Sequence, residues 1–209
     1  MLINYIKTTL RYLWKKKGYT LINLLGLSLG LATCIDIFLF VQDEISYDRY
    51  HENAENIYRV ETIWEGEGQT EHWAASQGFI IPAITERYPE VLSGAKINFS
   101  YFPMISDYDG QQFSEEEVIY ADSSLFRIFS YQMLQGDPNT ALSGAEKVVM
   151  TKYTAKKYFG NDDPMGKIIT INEQPYKVSG VIEDIPENSH FHFDIAISID
   201  QLRARGAPV

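Results

Sequence analysis

Three hydropathy patterns succeed one another along the chain. Over residues 1–18 the apolar side chains Leu2, Ile3, Ile6, Leu10, Leu13 and Trp14 recur at helical spacing, while Lys7, Arg11 and Lys15 fall on another face. A basic amphipathic helix ending in Trp and lysines suits the headgroup layer of a membrane. From Tyr19 to Val41 the alternation vanishes, and 23 residues carry one carboxylate, Asp36. Coiled as a helix, that run reaches about 35 Å, enough for a hydrocarbon core of roughly 30 Å. Gly18, between the two segments, is expected to let the chain turn into the bilayer. Beyond residue 43 the pattern becomes short alternating runs separated by turn residues.

Those runs predict a mixed domain. Ile57–Trp64 reads as the first strand, closed by Gly66 and Gly68, and 78–88 as a short helix with Pro82 in its first turn. Strands are expected over Lys96–Tyr101, Met104–Tyr108 and Val118–Ala121, with Asp109-Gly110 as a hairpin turn. Asp122 heads a short helix carrying Leu125, Phe126 and Phe129. Lys147–Met150 is a strand, Thr151 caps a helix through Tyr158, and Gly160 stops it. Gly166–Ile171 and Tyr176–Ile182 flank a hairpin loop at 172–175, and His190–Ile199 alternates strictly, with Phe191, Phe193, Ile195, Ile197 and Ile199 on one side. The fold class is α+β: an interfacial helix at 1–18, a transmembrane helix at 19–43, and a mixed α/β domain at 44–209.

Charge gives this layout a direction. Residues 1–35 hold Lys7, Arg11, Lys15, Lys16 and Lys17 and no acid, which leaves 13 of the 18 bases against all 28 acids in the remainder. The lysines ahead of the span place the N-terminus in the cytoplasm and 44–209 outside, with Lys15, Lys16 and Lys17 setting that topology. A cleaved signal peptide fits poorly, because the run ends in Phe-Leu-Phe-Val without an A-x-A-like site. A lipoprotein signal ending at Cys34 would leave Ile35–Val41 as an apolar mature terminus. Gly26 and Gly30 form a G-x-x-x-G, a spacing that admits a neighbouring helix at close range. Asp36 lies about 7.5 Å from the outer end, so it reads as reaching interfacial water rather than as an intramembrane site.

Candidate chemistry is sparse. A net charge of −10 argues against nucleic acid as a partner. The sequence has no phosphate loop, no G-x-S-x-G elbow and no H-E-x-x-H. Its single cysteine, Cys34, lies within the apolar run, which argues against a catalytic thiol. His190, His192 and Asp194 would share one face of the last strand and are metal-ligating types, but the polar outer face of a half-buried strand accounts for them equally. His51 and His72 have no local partner motif, and Glu115–Glu117, Glu86 and Glu90 read as solvated surface. Core packing accounts for most of the aromatics, among them Tyr47, Tyr50, Tyr58, Trp64, Trp73, Phe99, Tyr101 and Phe102; a partner-binding face is the alternative. No catalytic, cofactor-binding or metal-binding residue is predicted.

Several segments together carry a resemblance. The head NYIKTTLRYLWKKKGYTLINLLGLSLGLA, the junction VQDEISYDRYHENAENIYRV and the stretch VVMTKYTAKKYFGNDDPMGKIITINEQPYKVSGVIEDIPENSHFHFD, in that order, resemble the N-terminal part of MacB/FtsX-like ABC transporter permeases. The resemblance implies a cytoplasmic interfacial helix, a first span and a periplasmic core domain in the inner membrane. It also implies that a separate ATPase subunit drives a dimeric or paired permease, with a periplasmic adaptor as a further partner and mechanical coupling to efflux as the task. Two departures stand out: Asp36 falls where the family has an aliphatic residue, and the tail Arg203–Val209 matches nothing in it, so 44–209 is expected to be an incomplete core domain. A single-pass anchored sensor or binding module, and a metalloenzyme using His190 and His192, remain the alternatives.

Overall fold

The computed structural model describes residues 1–66 and 68–206. They fall into two units, one over Met1–Tyr47 and one beginning at Asp48. The first holds two helices, α1 (Leu2–Lys15) and α2 (Lys17–Glu44). The chain breaks at Lys16 (φ −110°, ψ 53°), not at Gly18, which lies in the first turn of α2. One non-helical residue suffices here because Thr20 Oγ1 donates to the Leu13 carbonyl at 3.1 Å, meeting one of the acceptors a helix end leaves open. Within α2, Ser28 and Thr33 donate to the carbonyls of Leu24 (2.7 Å) and Leu29 (2.9 Å), so both hydroxyls are satisfied inside the helix. By length and composition α2 can cross a membrane.

After residues 48–61, with one 3-10 turn at Ala54–Asn56, the second unit has a detached hairpin, β1 (Thr62–Gly66) and β2 (Gln69–Trp73), followed by α3 (Ile80–Arg87). The predicted first strand therefore starts late, since residues 57–61 are not in a strand, and β2 escaped prediction because Gln-Thr-Glu-His carries no apolar alternation. The main sheet has nine strands: β3 (Ile97–Phe99), β4 (Met104–Tyr108), β5 (Gln111–Glu115), β6 (Val118–Ala121), β7 (Met133–Gly136), β8 (Lys147–Thr151), β9 (Ile168–Ile171), β10 (Gln174–Ile182) and β11 (Ile195–Ser198). Their order is β3-β6-β11-β8-β10-β9-β4-β5, with β7 also on β10. The β6–β11 and β8–β10 pairs are parallel and the rest antiparallel.

Three short helices complete the unit: α4 (Leu125–Ile128), α5 (Lys152–Phe159) and α6 (Asp200–Ala204). Thr151 caps α5 as expected, its Oγ1 accepting from the Thr154 amide at 3.3 Å. Residues 207–209, part of the unmatched tail, lie outside the described residues.

The core lies on both faces of the sheet. Val148, Met150, Ile195 and Ile197 join Tyr158 and Phe159 of α5 in one cluster, while Val149, Ala196 and Ile119 join Leu125, Phe126 and Phe129 in the other. The middle strands are thus covered on both sides, a setting that favours continuous apolar runs. This explains the main strand error. β11 has four consecutive buried residues, and 190–194 lie outside it, so the strict alternation of 190–199 is not that of one half-exposed strand.

β7 closes onto Gly180–Ile182 through Gly136, whose φ is +99°. A Cβ there would stand 2.5 Å from the Ser179 carbonyl oxygen and 2.9 Å from the Gly180 Cα, backbone atoms that cannot give way.

Candidate functional site

The second unit starts with a weld. Asp48 adopts φ 56°, a left-handed conformation that Asp tolerates better than most residues, and its amide donates to the Asn188 carbonyl at 3.0 Å. Its carboxylate accepts from the His190 amide (3.0 Å) and from Ser189 Oγ (3.3 Å), and pairs with His190 Nδ1 at 2.7 Å. Burial works to raise the Asp48 carboxyl, but the His190 amide, the His190 ring and Ser189 outweigh it and hold the group below its usual range. Tyr50 OH lies 2.9 Å from the same Ser189 Oγ.

Three residues further on, His51 is only 4% exposed. Its Nδ1 accepts from the Ser130 amide at 3.1 Å, so the proton of the neutral ring sits on Nε2, which is buried without a hydrogen-bond partner. The ring centroids of Tyr50, Phe129 and Tyr131 stand 4.0, 5.1 and 5.5 Å away. Burial pushes the His51 pKa down, opposed by the charge on Asp48, and burial likewise raises the Tyr131 phenol. Glu52 adds a further tie, its amide donating to Ser130 Oγ at 2.9 Å. Residues 48–52 are thereby fastened to two distant loops, around 130 and around 190. The arrangement holds a chain in place. Its histidine His51 and its hydroxyl Ser189 are both buried.

The sequence-predicted residues are placed as follows. Lys15 ends α1, Lys16 is the break, and Lys17 begins α2, with the Lys16 and Lys17 ammoniums 5.8 Å and 5.3 Å from the rings of Tyr12 and Trp14. Gly26 and Gly30 lie within α2, and the space a Cβ would fill at each is open. Cys34 is exposed on the same helix. His190 and His192 diverge: one pairs with Asp48, and the Nε2 of the other lies 3.2 Å from the Glu187 carbonyl. Among the described residues no group of three His, Cys, Asp or Glu is placed to hold a metal.

Glu115 corrects the solvated reading of the acidic run. It is buried, paired with Lys157 Nζ at 2.8 Å, and accepts from Tyr158 OH at 2.6 Å. The hydroxyl of Ser106 bonds Tyr158 as well. Core packing also fails to account for Tyr58, Trp64, Trp73, Tyr101 and Phe102, all of which are exposed.

What the sequence did not mark as a site is the weld itself, Asp48 and His51 with Ser130, Ser189 and His190. One signal was available. Asp48 and Ser189-His190 belong to two of the segments on which the family resemblance rests, and the fold brings them together.

Comparison with known proteins places this architecture. The model of the MacB-like periplasmic core domain matches residues 20–208. The chain belongs to that family. MacB-like domains are components of ABC-transporter-type permeases rather than enzymes. Two solved structures share the fold. One is a domain assigned to a permease protein of Porphyromonas gingivalis, at 22% identity and TM-score 0.54, covering 62% of this chain and 60% of that one. The other is the periplasmic region of MacB from Actinobacillus actinomycetemcomitans, at 18% identity and TM-score 0.50, covering 72% and 70%. The chain therefore spans less than two thirds of the first relative's length. Comparison with curated proteins returns no match.

Proposed function

We propose that this chain is the N-terminal part of the permease subunit of a MacB-type ABC transporter. In this reading residues 1–18 lie in the cytoplasmic headgroup layer, 19–43 cross the inner membrane, and 44–209 contribute to the periplasmic core. Lys15, Lys16 and Lys17 hold the N-terminus inside, and Gly26 and Gly30 admit a neighbouring helix of a second or paired permease. A separate ATPase subunit supplies the energy, a periplasmic adaptor is a further partner, and the domain's task is to carry the cycle outward as movement that serves efflux.

The observation that carries the reading is the family match over 20–208, which takes in both the apolar helix and the sheet-rich unit. The weld supports it. A chain leaving a moving helix transmits displacement only if its next residues are held firmly, and Asp48–Glu52 are held at both ends. Two measurements on the full chain test the proposal. It is expected to stay with membranes in alkaline carbonate, and to co-purify in mild detergent with a phosphate-loop ATPase. Release by carbonate would overturn it together with any membrane-anchored reading, and a membrane-bound chain that never associates with such an ATPase would overturn it in favour of an anchored sensor or binding module.

A further inference from the structure

The hairpin β1–β2 stands apart from the nine-stranded sheet, and its described residues from Ile63 to Trp73 are all exposed. A two-stranded ribbon on its own is marginal in water, so both bare faces need an explanation. The register supplies one. Trp64 pairs across the strands with Glu71 and Thr62 with Trp73, which puts Trp64, Glu71 and Trp73 on one face. The tryptophans are 66% and 59% exposed, far more than such side chains normally are.

Both indoles are positioned. Trp73 Nε1 donates to Glu71 Oε2 at 3.0 Å. The Trp64 ring lies along its own strand over Gly66, where a Cβ would come within 3.2 Å of Nε1. Arg59, just ahead of the hairpin, donates through Nε and Nη2 to the Ala74 carbonyl at 3.0 and 2.5 Å. Among the described residues no Lys or Arg pairs with Glu71, and Glu61 and Glu65, at alternate positions of the same arm, are exposed as well.

We propose that the Trp64–Glu71–Trp73 face docks an arginine or lysine side chain of a basic partner protein. Two aromatic faces and a carboxylate are the elements that hold an organic cation, the rings through their quadrupoles and the carboxylate through charge-assisted hydrogen bonds. Charge selects the occupant. A second copy brings the same carboxylates against these, within residues 48–209 where 25 acids face 13 bases, and an anionic lipid surface meets the same repulsion. The hairpin's chemistry does not depend on which way α2 runs through a membrane.

The test uses the full chain in phosphatidylcholine nanodiscs with Trp14→Phe, so that emission reports only Trp64 and Trp73 of the three tryptophans. The probe is the peptide acetyl-(Gly-Arg)4-amide. A saturable change in emission is expected, weakened about tenfold by Glu71→Gln, which keeps an acceptor for Trp73 and so spares the hairpin, and by Trp64→Ala. Glu86→Gln, on α3, is expected to leave it unchanged. No saturable response overturns the proposal, as does an equal loss from Glu86→Gln, which would mean diffuse charge attraction. Quenching of the same emission in discs of brominated phosphatidylcholine also overturns it, placing the hairpin in the lipid.

Discussion

At the residue scale the most telling side chain is His51. Its Nδ1 can accept the Ser130 amide only while unprotonated, and among the described residues Nε2 has no hydrogen-bond partner to welcome a charge. Of the groups around it, Asp48 favours the cation and the Tyr50 and Tyr131 rings bury it. The folded pKa lies below the ordinary 6.5, so the unfolded chain binds the extra proton. The contribution of His51 is therefore complete above about 6.5 and is lost as the pH falls below it. The resistance of the full chain in detergent to thermal or denaturant unfolding is expected to weaken on going from pH 7.5 to 5.5, and His51→Gln to flatten that slope. An unchanged slope would mean that the histidine is not sealed in its neutral form. Asp48 acts lower: its carboxyl is held down, so its share is complete above the usual 3.8 and is lost as the pH falls below it towards the lowered folded value. None of this could be read from His51 alone, because Ser130, its partner, is 79 residues away.

At the scale of elements, local chemistry was readable and long-range cover was not. Asp109-Gly110 (φ 51° and 76°) turns β4 into β5 as the pair predicts. Thr151, followed by a helix and stopped by Gly160, was equally plain. The 172–175 loop was placed correctly but is tighter, a two-residue turn of Asn172 (φ 47°) and Glu173 (φ 64°). Both residues occupy the left-handed region, which Asn tolerates and Glu does not. Glu173→Gly removes that strain and is expected to stabilise the hairpin by about 0.5–1 kcal/mol. That raises the unfolding midpoint by about 1–4 °C, measurable by calorimetry. Strand β7 escaped because Met-Leu-Gln-Gly offers almost no pattern; a register on Gly180–Ile182 makes it a strand. The detachment of β1–β2 from the main sheet escaped for the opposite reason. Its exposed tryptophans look like core residues until the fold shows that nothing in the sheet covers them.

At the scale of the whole molecule the question is which way the chain faces, and it comes down to a count of cations at the two ends of α2. Lys7, Arg11, Lys15, Lys16 and Lys17 precede the apolar run, whereas only Arg49 and Arg59 lie within the following 18 residues. The carboxylates Asp43 and Glu44 contribute little, because orientation follows lysine and arginine rather than net charge. Changing Lys15, Lys16 and Lys17 to Glu leaves Lys7 and Arg11 against the same two arginines, so the bias should vanish. Alkaline phosphatase fused after Asp48 is expected to be fully active on the parent chain and to lose about half of its activity on the triple Glu variant. The triple Arg variant, which keeps every charge, is expected to retain that activity; its loss would mean that packing of the lysine stems near Tyr12 and Trp14, not charge, fixes the direction. Phosphatase silent on the parent chain would put the sheet-rich unit on the cytoplasmic side. The weld at Asp48 would then have no periplasmic motion to transmit.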